Sequence, residues 1–363
     1  MLVRQRDRPR PSAESLLNQA WCQSGLHYFR GGVELAAAIH DAAVLLLDRF
    51  QLPAPQRGIM RIKTADLPAF EAAARRVGDT HAIDEVTAAE RLGPYFRAGG
   101  HYFDVPDGPF PEAELIQLAR DDAAGQGVAA IEVDAAVHLE SDGHGTVAVI
   151  ADGTRLEATE IVIVAGCGTP ALLEQLDIAH GLEVVRTPLL VVKQDGALRV
   201  PLLVDRIAGF AVTQPEPGRL VFGARGELPT SDPTDPAERD ATAAERDDLH
   251  ARFCTASGLA LPDVECRAHA GLEIQRKPPI DSEGATLHES SDDRARRKVS
   301  RIIGTDPRFS NLRWALPGRA TLALSVAHTL ASSLELTDRQ AAAPVFGSRW
   351  RDDIEMFYRA SYD

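Results

Sequence analysis

Glu160-Ile161-Val162-Ile163-Val164-Ala165-Gly166-Cys167-Gly168-Thr169-Pro170-Ala171-Leu172-Leu173-Glu174-Gln175-Leu176 is the stretch around which the chain is organised. Five apolar residues, Ile161 to Ala165, meet a pair of glycines, and Leu172, Leu173 and Leu176 then share one helical face. The pattern reads as a buried strand, a tight turn and a helix. Such a turn aims backbone N–H groups and the positive end of a helix at whatever lies above the strand, a ready site for phosphate or another anion.

Two readings of the glycines compete. Gly166-x-Gly168-x-x-Ala171 fits a dinucleotide fingerprint, and Glu183 stands 17 residues on, near the distance of a ribose-binding acid. Alone, this suggests an NAD-dependent dehydrogenase centred on Gly166 and Gly168. Against it, any strand-to-helix turn favours glycine, Pro170 suits a purely structural cap, and 160 residues would precede the nucleotide fold.

Upstream, Met1-Leu2-Val3 reads as a scrap of strand from the inside of a sheet, ended by Pro9 and Pro11. Asn18 to Gly32 gathers amides, Ser24-Gly25, His27-Tyr28 and a double glycine, and Val33 to Phe50 has strong helical periodicity. A strand at Gly58 to Ile62, helices at Asp66–Val77 and Val86–Leu92, a strand at His101 to Val105 and a helix from Pro111 to about Gln126 follow. Two or three strands between Val128 and Val149 deliver the chain into the central strand. Beyond it lie strands at Glu183–Lys193, Leu198–Asp205, Gly209–Thr213 and Arg219–Ala224, a charged helix over Ala237–Ser257 and a strand near Glu265–Glu273. Asn311 to Leu334 reads as a short strand, the turn Pro317-Gly318-Arg319 and a helix of roughly four turns from Ala320-Thr321. Arg349 to Asp363 reads as a terminal helix.

Composition excludes several classes. A net charge of -14 with only short basic runs argues against nucleic acid, and the densest run, Arg294, Arg296, Arg297 and Lys298, reads as a solvated face. Cys22, Cys167, Cys254 and Cys266 have neither C-x-x-C nor metal-ligand spacing, so reduced thiols and no metal are expected. No apolar run reaches a membrane span and the N-terminus lacks a signal-peptide core, so the chain reads as a soluble cytoplasmic protein. An apolar content of 44% supports a proper core.

The order of motifs resembles the FAD-dependent oxidoreductases of the D-amino-acid oxidase superfamily. The resemblance is carried by the Gly58-Ile59 strand, Leu92-Gly93-Pro94, the passage from Pro106 to Gly127, and Gly153-x4-Ala158-x2-Ile161-Val162-x2-Ala165-Gly166. Gly218-Arg219-Leu220-Val221-Phe222-Gly223-Ala224 and Leu316-Pro317-Gly318-Arg319-Ala320-Thr321 extend it. It implies an α/β fold: a discontinuous Rossmann-like FAD domain from 1–55, 105–182 and 300–345, a β-rich substrate domain from 56–104 and 183–299, and a C-terminal helix over 346–363. The strand at Ile161 to Ala165 would lie beside the adenine-binding strands, and the turn Pro317 to Thr321 would face the flavin, where a helix N-terminus stabilises reduced flavin.

The superfamily opens with a strand, G-x-G-x-x-G and a helix, and the chain contains no such unit. Met1 to Gln5 resembles the family's second strand, with Gln5 where an acidic residue would hold the adenosine ribose. Three expectations follow: a start downstream of the true one, a relative that binds FAD poorly or not at all, or a partner subunit that supplies the unit. Each leaves an apolar gap beside Ile161 to Ala165.

Oxidation of an amine or alcohol by flavin needs a base for the N–H or O–H proton and a cation for a substrate carboxylate. Arg276 lies where the superfamily places a carboxylate-gripping arginine, with a surface loop arginine as the plainer alternative. His27, behind Ser24 and Gly25 in the segment resembling the flavin-facing part of hydroxyglutarate and glycerol-phosphate dehydrogenases, is the candidate base; a hydrogen-bonded core histidine is the alternative. His269 is a weaker candidate, and His101 and Tyr102 could line the substrate cavity or simply belong to a sheet face. Cofactor contacts are assigned to Gln5, Ser24, Gly25, Gly166, Gly168, Pro317, Gly318, Arg319, Ala320 and Thr321. The expected function is oxidation of a small amino or hydroxy acid by FAD, with a non-catalytic relative or binding subunit as the rival.

Overall fold

The computed structural model describes residues 1–5, 21–110, 112–134, 136–193, 198–224, 228–230, 236–258, 266–278, 297, 302–316 and 322–334. In chain order its elements are β1 (Leu2–Gln5), β2 (Trp21–Cys22), α1 (Val33–Phe50), β3 (Gly58–Ile62), α2 (Leu67–Val77), β4 (His81–Ile83), α3 (Glu85–Leu92), β5 (His101–Val105), β6 (Gly108–Pro109), α4 (Glu112–Gly125), β7 (Ala130–Val133), β8 (His138–Ser141), β9 (Val147–Ala151), β10 (Thr154–Glu157), β11 (Ile161–Ile163), α5 (Thr169–Glu174), β12 (Leu182–Lys193), β13 (Leu202–Asp205), β14 (Phe210–Glu216), β15 (Arg219–Ala224), β16 (Leu228–Pro229), α6 (Ala243–Ser257), β17 (Cys266–Arg276), β18 (Ile302–Thr305), β19 (Leu312–Leu316) and α7 (Ala323–Ser333).

Strand alternation explains the large mixed sheet, ordered β16-β12-β15-β14-β13-β3-β5-β4 with β17 along the other edge of β12. Every residue of β3 is buried, because successive side chains enter cores on opposite faces. Ile59 joins Leu203, Val212, Phe222 and α6 residues Leu249 and Phe253 on one face. Met60 and Ile62 join Val204, Ala211, Phe29 and Phe70 on the other. Each such side chain stabilises the fold by roughly 1.5–3 kcal/mol when fully buried.

The charged helix starts at Ala243 rather than Ala237. Thr242 supplies a capping box there: its hydroxyl accepts the Glu245 N–H (3.2 Å) and the Glu245 carboxylate accepts the Thr242 N–H (2.7 Å). The strand near Glu265 runs on to Arg276, which is therefore a strand residue and not part of a loop, paired opposite Leu182. Arg297 departs from the solvated-face expectation: its side chain is 9% exposed and pairs with Glu183 (2.9 Å). The remaining residues of that basic run lie outside the described set.

The segments assigned to nucleotide binding form smaller sheets. β1 pairs in parallel with β7, and β11 in parallel with β19, which is flanked by β18. Among the described residues β1 and β11 have no further strand partner. Met1 and Leu2 are 68% and 40% exposed. The central strand stops at Ile163, leaving Val164 59% exposed, and its strand neighbour among the described residues is β19. α7 begins at Ala323, with Leu322 at its N-cap, and makes three turns. The terminal helix expected over 346–363 lies outside the described residues. Among the described residues no helix is long and apolar enough to cross a membrane, and no group of three potential metal ligands occurs.

Candidate functional site

Glycine fixes the route of the segment that carries His27. Gly25 has φ +90, and a Cβ there would stand 2.0 Å from the Ala36 carbonyl oxygen, so only glycine lets the turn touch α1. Residues Leu26–Gly31 then form a 3₁₀ helix, with Leu26, Tyr28 and Phe29 buried and His27 half-buried. Trp21 and Tyr28 bracket the imidazole edge-on at 4.9 and 5.0 Å.

Below this segment lies Asp107, fully buried, whose Oδ1 accepts the Ser24 N–H. Ser24 Oγ in turn accepts the Leu26 N–H at 3.4 Å. Burial raises the Asp107 carboxyl to about 6, against the opposing hydrogen bonds from Ser24 and Trp21. The same burial, helped by the Asp107 charge, pushes Cys22 up to about 12. The Trp21 indole N–H lies against the same carboxyl and also favours its charged form.

Arg206 approaches from the large sheet, its Nη1 3.4 Å from His27 Nε2 and its guanidinium 5.9 Å from the Phe29 ring centre. The turn that carries it is fixed from below. Asp205, 1% exposed, pairs with Arg61 (2.9 Å) and accepts the N–H groups of Ile207 (2.9 Å) and Ala208 (2.8 Å). The Arg61 carbonyl receives the Arg206 N–H at 2.9 Å.

The predicted site residues fall into two groups. Tyr28, beside His27, packs with Leu35, Ile39 and Leu322, so the chain just after Thr321 lies against the His27 segment. Pro317, Gly318, Arg319, Ala320 and Thr321 themselves lie outside the described residues. Gly166, Gly168 and Arg276 belong to the other group: Cys167 packs on Val184 and Leu272, with Ile274 beside them, on the strand that ends in Arg276. Arg276's carbonyl accepts from Arg297 (2.9 Å). Gln5 ends β1, opposite Val133. His269 lies in β17 opposite Leu189. Tyr102 is buried with its hydroxyl donated to the Arg97 carbonyl, and His101 reaches Thr64 at 3.2 Å, so both serve the sheet.

Glu183 does not act as the ribose acid of a dinucleotide fold. It lies on β12, antiparallel to β17, and accepts from Gln275 (2.9 Å) and Arg297 (2.9 Å). The strand after the glycine turn thus enters a different, antiparallel sheet, where a dinucleotide fold requires a parallel neighbour. Asp107 and Arg206 were not singled out from sequence. Pro106-Asp107-Gly108 announces only a turn, and nothing around Arg206 distinguishes it from other arginines.

The residues of the glycine turn leave room for an FAD. At the turn, Gly166 has φ +53 and a Cβ there would meet nothing within 4 Å, while one on Gly168 would meet only Ala165 at 3.7 Å, so the backbone is open to close approach by a ligand. Thr169 Oγ1 next to it is buried and unpartnered among the described residues.

A family model for FAD-dependent oxidoreductases matches residues 2–285. Among solved structures, glycine oxidase from Geobacillus kaustophilus superposes with a TM-score of 0.67 at 15% identity, over 95% of this chain and 92% of that one. L-proline dehydrogenase from P. horikoshii gives 0.62 at 13% identity, over 87% and 82%. Iminodiacetate oxidase from Chelativorans sp. BNC1 gives 0.62 at 16% identity, over 96% and 91%. No curated protein sequence matches significantly. With a family match across most of its length, and a mixed α/β fold shared with those flavoenzymes, the chain belongs to the FAD-dependent oxidoreductases of the D-amino-acid oxidase family, and its cofactor is FAD.

Proposed function

We propose that this chain oxidises a small amino acid or 2-hydroxy acid. What supports the reading most is the convergence of the His27 segment with the start of α7, through Tyr28 and Leu322. FAD, when bound, takes up the C–H hydrogen and the two electrons. His27 is the residue proposed to accept the N–H or O–H proton, held edge-on between Trp21 and Tyr28. Ser24 and Asp107 hold its segment, and Gly166, Gly168, Gln5 and the turn Pro317 to Thr321 are the proposed cofactor contacts. Glycine, proline and iminodiacetate, named for the structural neighbours, head the substrates to be tried.

The proposed division of the chain follows the sheets. β1, β7, β11 and β19, which lie outside the large sheet, belong to 1–55, 105–182 and 300–345, whereas the nine-stranded sheet is built almost entirely from 56–104 and 183–299. A second reading, a relative or subunit that binds rather than catalyses, is favoured by the separation of β1 from β11 among the described residues. A partner polypeptide pairing with those strands would then complete the cofactor site.

The visible spectrum of the purified chain, before and after FAD addition and after denaturing release, separates the two. A bound yellow flavin that bleaches anaerobically with an amino or hydroxy acid supports the oxidase. A protein that stays colourless with excess FAD supports the binding role.

A further inference from the structure

Trp21 joins a buried acid to the candidate base. Its indole N–H lies against the Asp107 carboxyl, and its ring meets the His27 imidazole edge-on at 4.9 Å. We propose that Asp107 is a positioning residue for His27, acting through Trp21 by holding the indole whose edge orients the imidazole, an inference that rests on the oxidase reading. The backbone supports it. Trp21 and Cys22 pair with Pro109 and Gly108, so the strand that carries the indole is bound to the loop that carries Asp107. That loop has no slack, since a Cβ on Gly108 would stand 1.8 Å from the Gln56 carbonyl oxygen.

Two donors face this carboxyl, the Ser24 N–H on Oδ1 and the indole N–H. Both suit a carboxylate, which accepts from each and donates nothing. A proton on the acid adds a third donor where two already stand, and exchanges charge-assisted bonds for neutral ones about half as strong. The indole is the donor that yields. Ser24 is buried and its hydroxyl accepts the Leu26 N–H (3.4 Å), whereas Trp21 is half-buried and can turn. The imidazole then loses one of the two rings that bracket it. With the acid held at about 6 by burial, the change falls where a histidine base works. The charges around the pair are already committed. Cys22 on β2 keeps its proton to about 12, Arg30 pairs with Asp66, and Asp104, on the strand leading to Asp107, pairs with Arg57 and Arg91. Arg206 stands at His27, and Arg49 and Asp122 join α1 to α4 (2.6 Å).

The test uses the full chain labelled at tryptophan and histidine nitrogen. Trp21 is identified among the three tryptophans by Trp21→Phe, and His27 among the 11 histidines by His27→Gln. Spectra from about pH 5 to 8 compare wild type, Asp107→Asn and Trp21→Phe, each checked for fold by circular dichroism. In wild type the Trp21 indole resonance should step near pH 6, and His27 should show an inflection there besides its own titration. Asp107→Asn keeps an oxygen for Ser24 and should abolish the indole step, and both variants should abolish the extra His27 inflection. In turnover each variant should lower kcat severalfold with KM within twofold. The double variant should be no slower than the slower single one, because the two residues act in series. An indole that does not titrate in wild type, a step that persists in Asp107→Asn, a His27 inflection that survives in Trp21→Phe, or multiplied losses in the double variant would overturn the proposal. Should Asp107→Asn fail to fold, Trp21→Phe decides, because it leaves the acid and removes the link: an unchanged His27 inflection overturns the proposal. The indole step and its echo at His27 in a protein whose flavin no amino or hydroxy acid reduces would keep the tie and sink the oxidase reading.

Discussion

Asp107 lies fully buried behind Ser24 and accepts its backbone N–H, tying the loop after β5 to the segment that presents His27. The carboxyl is held at about 6, against 3.8 for an ordinary aspartate, chiefly by burial. Between those values the folded chain keeps a proton that the unfolded chain has released, so this group's contribution to stability falls as pH rises through about 4 to 6. The loss is on the order of 3 kcal/mol, at about 1.4 kcal/mol per pH unit. Asp107→Asn keeps an oxygen for Ser24 and removes the ionisation. Its urea stability relative to wild type should therefore rise by that order between pH 4 and pH 7; a pH-independent difference would show that the charge is not buried.

Cys22 beside it should be inert. Burial is the larger cause of its raised thiol and the Asp107 charge the smaller. Iodoacetamide at pH 8 should therefore spare Cys22 in the folded protein and in Asp107→Asn alike, and label it only in denaturant, as read by peptide mass spectrometry. Labelling in folded Asp107→Asn would make the charge, not burial, its protection.

The Arg61–Asp205 pair should cost the most to break. Arg61 is 8% exposed, and the pair is supplemented by the carbonyls of Gly99 (2.9 Å) and Ala98 (2.9 Å). Removing one member leaves the other charge buried, a change of about 3–5 kcal/mol. Asp205→Ala and Arg61→Met should each fall in that range in urea melts. The double variant should cost clearly less than their sum, since it strands no charge.

Much of the scaffold was legible because local rules and tertiary packing agree in it. Val33–Phe50 is a helix from periodicity alone, and Gly58–Ile62 and His101–Val105 are strands with the expected bounds. Disagreements arise where partners decide. Val164 continues an apolar run, yet pairing ends at Ile163, since β19 supplies partners only for Ile161 to Ile163. A surface loop was the plainer alternative for Arg276, but eleven consecutive pairings with β12 keep it in a strand. The contact between Arg206 and His27 joins residues 179 positions apart, and no periodicity reaches that far.

Two glycines assigned to the cofactor separate packing from ligand approach. Alanine at Gly25 would meet the Ala36 carbonyl at 2.0 Å in a left-handed backbone, so Gly25→Ala should destabilise by about 3 kcal/mol or more whether or not flavin is present. Alanine at Gly166 has space on every side and pays only the left-handed conformation, about 1–2 kcal/mol. If FAD lies against that turn, Gly166→Ala should melt within a few degrees of wild type yet retain several-fold less flavin after gel filtration. Normal flavin content in Gly166→Ala would remove the turn from the cofactor site and leave Gly166 a glycine of backbone geometry alone.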